Sequence, residues 1–220
     1  QVTVVGNGSA CVVGGHAYII KKGQRFITNS AIASMGYDLP AAIGAWTASR
    51  DKGCYSQGGD RSGEDLILVT GDGSMQMNLQ ELQTIIHHRM GIKIFVINNG
   101  GYHSIRQTQK NFFGEPLIGI GVDSGDLSFP ALDKLAAAYG YPYVSARHNS
   151  ELGEAVEKTL AAEGPAICEV FVSMDQNFEP KSSAKRLPDG TMVSPPLEDL
   201  SPFLPDEEMD ENMIIPRIKG

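Results

Sequence analysis

Short apolar runs rich in valine and isoleucine alternate with segments of helical period along most of the chain. The apolar runs predict strands over residues 2–5, 66–69, 92–97, 143–145 and 166–172. The helical segments predict helices over residues 40–49, 75–89, 130–139 and 150–162. Apolar strands that are separated by helices are typical of a parallel sheet covered on both faces. We therefore predict a doubly wound α/β domain over residues 1–173, with a mostly parallel sheet and helices on both faces.

The pattern changes in residues 174–220, which hold seven of the twelve prolines and the acidic run DEEMDE at 206–211. Proline at this density disfavours helices and central strands. We therefore predict an extended, Pro-rich, acidic C-terminal arm without a helix, which either covers a neighbouring surface or is partly disordered. Scattered apolar residues such as Phe203, Leu204, Met213 and Ile214 favour a docked arm.

Composition excludes several classes of protein. The chain has 220 residues, 41% of them apolar, and a formal net charge of -8, which argues against a nucleic-acid partner. It has no run of 18 apolar residues, so we expect no membrane span and a cytoplasmic location. The three cysteines, Cys11, Cys54 and Cys168, show no CxxC spacing and are interpreted as reduced thiols. The chain begins at Gln1, and we interpret it as a piece of a longer protein.

Polar residues follow two of the predicted strands at the point where each ends. The stretch LILVTGDGSMQM places Asp72 after one strand, and NNGG places Asn99 after the next. Either motif alone is more often a simple turn. A right-handed crossover, however, would place the two strand ends side by side, where a carboxylate and an amide oxygen suit Mg²⁺. The backbone N–H groups of Gly73 and Ser74, at the start of the next helix, suit phosphate oxygens.

The same residues carry a resemblance to a known family. The run GDGSMQMNLQELQTIIHHRMGIKIFVINNGG resembles the thiamine diphosphate motif, in which GDG is followed, one helix and one strand later, by NN. Upstream, SMGYDLPAAIGA resembles the acetolactate synthase branch of this family. The resemblance covers nearly the whole chain. It implies the C-terminal, diphosphate-binding domain of a three-domain enzyme that decarboxylates a 2-keto acid, such as pyruvate, and transfers the activated aldehyde to a second carbonyl.

The resemblance implies a metal site and a cofactor site. Mg²⁺ would be held by the side chains of Asp72 and Asn99 and by the carbonyl of Gly101. Met35 matches the bulky apolar residue beneath the cofactor. The other residues implied to bind thiamine diphosphate are Ser9, Ala33, Ser34, Gly73, Ser74, Tyr102, His103 and Ser104. His103 and Arg106 are interpreted either as contacts to substrate or diphosphate, or as ordinary polar residues.

Part of the implied active site is not in this chain. The family supplies the glutamate that activates the cofactor from the N-terminal domain of a partner subunit, and no glutamate here lies in such a motif. No catalytic residue is therefore assigned, and we expect the chain alone to be inactive. The resemblance implies a homodimer or homotetramer, and it places FAD, where FAD is bound at all, in a middle domain that this chain lacks.

Two residues depart from the pattern of the family. Thr108 stands where the acetohydroxyacid synthases usually have a tryptophan, and Asp38 stands for a glycine, in an expected loop before Pro40. The tail resembles acetolactate synthase-like proteins of surface-sugar biosynthesis. Two alternatives to acetolactate synthesis therefore stay open: a carboligase that adds a two-carbon unit to a keto-sugar in surface-polysaccharide biosynthesis, and a non-catalytic module that keeps the fold.

Overall fold

A computed structural model describes residues 1–50 and 65–217. These residues divide into two compact units, one within Gln1–Gln176 and the other within Asn177–Gly220. In the described parts of the chain, no helix is long and apolar enough to span a membrane. Cys11 and Cys168 are free thiols, whereas Cys54 lies outside the described residues.

A parallel sheet of six strands forms the centre of the first unit. The strands are β1 (Val2–Val5), β2 (Arg25–Ile27), β3 (Leu66–Gly71), β4 (Ile92–Asn98), β5 (Tyr143–Ala146) and β6 (Ala166–Phe171). Their order across the sheet is β2-β1-β3-β4-β6-β5, and every pairing is parallel. The predicted parallel sheet is confirmed, and the short edge strand β2 is an addition to it.

Seven helices surround the sheet in the described part of this unit. They are α1 (Ser9–Ala17), α2 (Asp38–Arg50), α3 (Asp72–Gln76), α4 (Glu81–His87), α5 (His103–Phe112), α6 (Leu132–Tyr139) and α7 (Asn149–Ala161). Residues of α2, α4 and α6 pack on one sheet face in a first core, and residues of α7 pack on the other face in a second core. Strand β4 contributes to both, because Ile94 faces the first core and Phe95 faces the second. The predicted α/β fold with helices on both faces is confirmed.

Three predicted elements differ from the structure. The single helix expected over residues 75–89 is two helices, α3 and α4, because the chain forms turns over residues 77–80. Helix α2 begins at Asp38, so the loop expected there is wrong. The C-terminal unit contains α8 (Asp206–Asn212), together with an antiparallel pair of short strands, β7 (Lys185–Arg186) and β8 (Met192–Val193).

The helix α8 corrects the expectation of a helix-free arm. Pro205 lies immediately before the helix, where a missing N–H is harmless, and none of the prolines lies within it. Acidic residues occupy its first turn, where the helix dipole favours negative charge. Arg217 pairs with Asp206 and Asp210 at N–O distances of 3.2 and 2.6 Å. The density of prolines was therefore a poor reason to exclude a helix, because the prolines lie outside α8.

The register of the sheet determines which loops lie together. Gly71, the last residue of β3, pairs with Ile97 of β4, and Val5 at the end of β1 pairs with Val69. The chain leaves all three strands at the same edge of the sheet, because the strands are parallel. The loops that follow β1, β3 and β4 are therefore neighbours.

Lys93 is a fully buried cation on β4, near the opposite edge of the sheet. Its Nζ donates to the carbonyls of Ala162 and Gly164, at the C-terminal end of α7, and lies 3.2 Å from a carboxylate oxygen of Asp65. The positive charge lies where the helix dipole favours it. Lys93 therefore fastens α7 to the centre of the sheet.

Replacing Lys93 by methionine should lower the thermal unfolding midpoint of the full-length protein by about 5 °C or more, because two partly buried carbonyls lose their donor. Lys158→Met is a matched control, since Lys158 forms an exposed pair with Glu154 on the same helix, and such pairs contribute little. Calorimetry of both variants makes the comparison. Equal midpoints for the two variants would contradict the role given to Lys93.

Candidate functional site

A cavity of about 140 Å³ lies at the carboxyl edge of the sheet, where the loops after β1, β3 and β4 meet. Its walls are formed by Asn7, Gly8, Ser9, Met35, Gly71, Asp72, Gly73, Ser74, Asn99, Gly101, Tyr102, His103, Ser104 and Ile105. Ten of the twelve predicted site residues are among them, whereas Ala33 and Ser34 are not. The structure thus brings most of the predicted site residues together around one cavity.

Asn7, Gly8, Gly71 and Ile105 also line the cavity and were not among the predicted site residues. For Asn7 and Gly8 the signal was present in the sequence, because GNGS directly follows the strand that ends at Val5. Polar residues and glycines that directly follow β3 and β4 were predicted to lie at the site. The same reasoning applies to those that follow β1. Ile105 carries no comparable signal.

Asp72 is a buried carboxylate at the end of β3. Its Oδ1 accepts from the N–H of Gly73 at 2.8 Å, and its Oδ2 accepts from the N–H of Gly101 at 3.0 Å. Burial raises the pKa of the Asp72 carboxyl to about 6, although both backbone N–H groups act in the opposite direction. The bond to Gly101 ties the end of β3 to the loop after β4, and the raised pKa marks a carboxylate that a nearby cation would stabilise.

Asn99 is a buried amide in the loop after β4. Its Nδ2 donates to the hydroxyl of Ser9 at 2.7 Å, which leaves its Oδ1 on the other side of the amide. That oxygen is buried and has no hydrogen-bond partner among the described residues. A buried carbonyl oxygen without a donor is costly, and a hard cation would satisfy it. The donor set of Asp72 and Asn99 therefore fits a magnesium ion.

Three helices begin at the wall of the cavity, and Asp72 is the first residue of the short helix α3. Ser9 is the first residue of α1 and His103 is the first residue of α5. The N-terminus of a helix carries a partial positive charge and backbone N–H groups without intrahelical partners, both of which favour anions. The cavity can therefore bind a phosphate group without a basic side chain in its wall.

Arg106 holds the loop that carries Asn99. Its side chain is fully buried, and its Nη1 and Nη2 donate to the carbonyls of Asn99 and Gly100, each at 3.2 Å. The guanidinium also makes a bidentate pair with Asp123 at 2.8 Å, and it lowers the pKa of that carboxyl. Arg106 does not line the cavity, so it holds the loop through these backbone carbonyls and does not face a ligand in the cavity.

His103 lines the cavity, but both nitrogens of its ring are hydrogen-bonded to other protein groups. Its Nε2 lies 2.6 Å from the carbonyl of Gln176 and must donate to it, because a carbonyl only accepts. Its Nδ1 then accepts from Arg106 Nη1 at 3.3 Å. This arrangement fixes the neutral tautomer with the proton on Nε2.

Two glycines allow a close backbone approach beside the loop. Gly101 has φ 148° and forms an isolated antiparallel bridge with Gly121. A Cβ on Gly101 would overlap the carbonyl oxygen of Ile120, and a Cβ on Gly121 would overlap the carbonyl oxygen of Gly100. The position of the loop therefore depends on the absence of side chains at both residues.

The segment before α2 approaches the cavity from another direction. Met35 lies in the cavity wall, and the N–H of Gly36 donates to the Ser74 hydroxyl at 3.0 Å, which ties this segment to α3. Ala33 has φ 57° and its carbonyl accepts from the side chain of Asn7. The Ser34 hydroxyl lies 3.3 Å from Asn29 Nδ2. Met35 alone of the predicted residues 33–35 lines the cavity.

Asp38 lies in helix α2 and not in the loop that was expected for it. Its side chain is fully buried in the first turn of α2, with one carboxylate oxygen accepting from Thr70 and the other without a partner among the described residues. A Cβ on Gly6 would press on this carboxylate. Asp38 is therefore accommodated by the glycine opposite, and it is hydrogen-bonded to Thr70 near the end of β3.

A comparison with protein families identifies this arrangement. The family model described as "Thiamine pyrophosphate enzyme, C-terminal TPP binding domain" matches residues 6–170, more than half of the chain. The chain belongs to the thiamine pyrophosphate enzyme family. Thiamine pyrophosphate is another name for thiamine diphosphate. The matched model is that of the cofactor-binding C-terminal domain, in agreement with the resemblance found in the sequence.

The relatives of this thiamine pyrophosphate-binding domain include acetolactate synthases. That of Arthrospira platensis is 31% identical over 157 residues, which are 71% of this chain and 24% of the relative. The large subunit from Cyanidium caldarium is 33% identical over the same shares of both chains. The isozyme 2 large subunit of Escherichia coli K12 is 29% identical over 81% of this chain and 29% of its own length. The chain thus spans less than a third of each of these relatives.

The Gly121 contact yields a prediction for this domain. Gly121→Ala should weaken binding of thiamine diphosphate by the full-length protein about 10-fold, because the new Cβ displaces the loop through the Gly100 carbonyl. Gly153→Ala is the control, since a Cβ at Gly153, within α7, meets nothing within 4 Å. Titration calorimetry measures both. Equal affinities would show that the loop does not depend on this approach.

Proposed function

We propose that this domain binds thiamine diphosphate through Mg²⁺ in an enzyme that decarboxylates a 2-keto acid, pyruvate, and transfers the two-carbon unit to a second carbonyl. The observation that carries the proposal is the buried Asn99 Oδ1, which has no partner among the described residues and lies in the same cavity wall as the buried Asp72. The family match and the acetolactate synthase relatives support the same reading.

The proposed metal ligands are the Asp72 carboxylate, Asn99 Oδ1 and the carbonyl of Gly101. All three residues line the cavity. The set consists of hard oxygens, which Mg²⁺ prefers, and it leaves room for phosphate oxygens and water, which Mg²⁺ usually retains. The carbonyls of Asn99 and Gly100 are engaged by Arg106, which holds the loop while Gly101 faces the cavity.

The charge of the diphosphate supports a role for the metal. None of the residues that line the cavity, all of which lie in the described part of the chain, is a lysine or an arginine. A diphosphate bound there would be neutralised by a divalent cation and by the N-termini of α1 and α5. Ser9, Gly73, Ser74 and the start of α5 are the proposed contacts.

When bound, thiamine diphosphate supplies the carbon nucleophile that adds to a keto acid and allows carbon dioxide to leave. The role of this chain is to bind and orient that group. Met35 gives the cavity an apolar wall on which a ring can rest. No glutamate is among the lining residues, so we propose that the activating glutamate comes from the N-terminal domain of a partner subunit, in a homodimer or homotetramer.

Apolar side chains near the cavity support such a partner. Val13 on α1 is 49% exposed, Ile32 beside Ala33 is 81% exposed, and Ile105 in the cavity wall is 49% exposed. A partner domain placed over the cavity would cover these side chains.

A second candidate concerns the acceptor substrate. Thr108 is exposed on α5, and its hydroxyl folds back to the carbonyl of Ser104 at 3.0 Å, so a small side chain stands one helical turn from the cavity wall. A small side chain at this position would leave room for an acceptor larger than pyruvate, such as a keto-sugar. Acetolactate released from pyruvate alone would favour the first candidate, whereas transfer only to a sugar would favour the second.

Thiamine diphosphate with Mg²⁺ should raise the unfolding midpoint of the full-length protein by several degrees, and the cofactor with EDTA should not, because the metal neutralises the diphosphate. Asp72→Ala should abolish the metal-dependent shift. Glu157→Ala, which removes an exposed carboxylate from α7, should keep it. Differential scanning fluorimetry measures the shifts, and the proposal fails if cofactor and metal leave the wild-type midpoint unchanged.

A further inference from the structure

A buried carboxylate on β6 is linked through Asn98 to the loop after β4. We propose that Glu169 is a positioning residue that acts through Asn98 on the loop carrying Asn99 and Gly101. The inference rests on the proposed function, because it concerns how the same metal site is held in shape. Glu169 does not line the cavity.

Glu169, Asn98 and Tyr143 form a chain of hydrogen bonds across three strands. Glu169 is 5% exposed, its Oε1 accepts from Asn98 Nδ2 at 2.6 Å, and its Oε2 accepts from the Tyr143 hydroxyl. The pairing of Val96 with Glu169 in the β4–β6 register places Asn98 and Glu169 diagonally on one face of the sheet. Burial, and then the Glu169 carboxylate, raise the pKa of Tyr143, so the phenol remains a neutral donor.

The carboxylate determines which way the Asn98 amide points. An ionised carboxylate only accepts hydrogen bonds, so Asn98 must present its NH₂ group to Glu169. The amide oxygen is then directed the other way, where it accepts from the N–H of Gly100 at 3.0 Å. The N–H of Gly100 is therefore held by Asn98, and its carbonyl is held by Arg106. The residue between the two proposed loop ligands is thus fixed on both sides.

Stability alone is a poor explanation for a charge at this position. In the described part of the chain, the partners of Glu169 are the neutral donors Asn98 and Tyr143, and no lysine or arginine forms an ion pair with it. Burying a carboxylate without a cation is costly, and an apolar side chain of similar volume would avoid that cost. Orientation of Asn98 gives the charge a function that an apolar residue cannot supply.

The test measures the Mg²⁺ concentration that gives half-maximal binding of thiamine diphosphate to the full-length protein. Glu169→Leu should raise this concentration about 10-fold, the usual effect of removing a group that orients a metal ligand. Glu169→Gln should restore most of the wild-type value, because its amide oxygen still accepts from Asn98. Lys93→Met is the control, since it removes a buried charge from the neighbouring strand β4, at the opposite edge of the sheet from the loop, and should leave this concentration unchanged.

The double variant Asn98→Ala with Glu169→Leu shows whether Glu169 acts through Asn98. If it does, the double variant should need no more Mg²⁺ than Asn98→Ala alone, because the effects of two residues in one chain are not additive. Should Glu169→Leu fail to fold, Glu169→Ala and Asn98→Ala provide the same comparison, each with an expected increase of about 10-fold.

Three outcomes would overturn the inference. Wild-type Mg²⁺ dependence in Glu169→Leu would exclude the role of Glu169, and fully additive effects in the double variant would exclude the route through Asn98. An equal increase in Lys93→Met would mean that the effect follows from lost stability. These results leave the proposed function standing, whereas a wild-type protein that binds no cofactor with Mg²⁺ overturns both.

Discussion

The parallel register of β3 with β4 is the constraint on which the site depends. Six residue pairs, from Leu66 with Ile92 to Gly71 with Ile97, bring the two strands to the same edge of the sheet. The residue after β3 is Asp72, and the residue after β4 is Asn99. A shift of one residue would turn the apolar side chains of β4 to the wrong faces, so the two cores that specify the fold also specify the site.

Several buried polar groups meet at this edge of the sheet, and together they hold one short loop. Asp72 accepts from the N–H of Gly101, Arg106 donates to the carbonyls of Asn99 and Gly100, and Asn98 accepts from the N–H of Gly100. Polar groups in a low-dielectric interior are stabilising only when they are fully paired. The buried Asn99 Oδ1 is the exception in this loop, and an ion in the cavity would remove that exception.

The parts of the fold predicted from the sequence are those with strong local signals. Four central strands were apolar runs bounded by turns, and the GDG and NNGG motifs marked the cavity because each follows a strand end. Helix α5 was missed because its buried residues include His103, Arg106 and Gln107, which give no apolar period. The edge strand β2 has three residues and takes its place from pairing with β1, which no local pattern reveals.

Long-range contacts explain what the sequence could not show at the site. Arg106 resembles a ligand contact in sequence, and only the position of Asp123, in a loop far along the chain, shows that the guanidinium faces away from the cavity. Asp38 resembles a loop residue until the buried hydroxyl of Thr70 is found beside it. Such pairings depend on the packed fold and not on the spacing of residues along the sequence.

The central claim is that Asp72, Asn99 and Gly101 form one metal site for a diphosphate cofactor. A crystal structure of the full-length protein with thiamine diphosphate and Mn²⁺ in place of Mg²⁺ tests it most directly, because Mn²⁺ scatters anomalously. The account predicts a single anomalous peak about 2 Å from an Asp72 carboxylate oxygen, from Asn99 Oδ1 and from the Gly101 carbonyl. Bound cofactor with the metal held by other residues would contradict it.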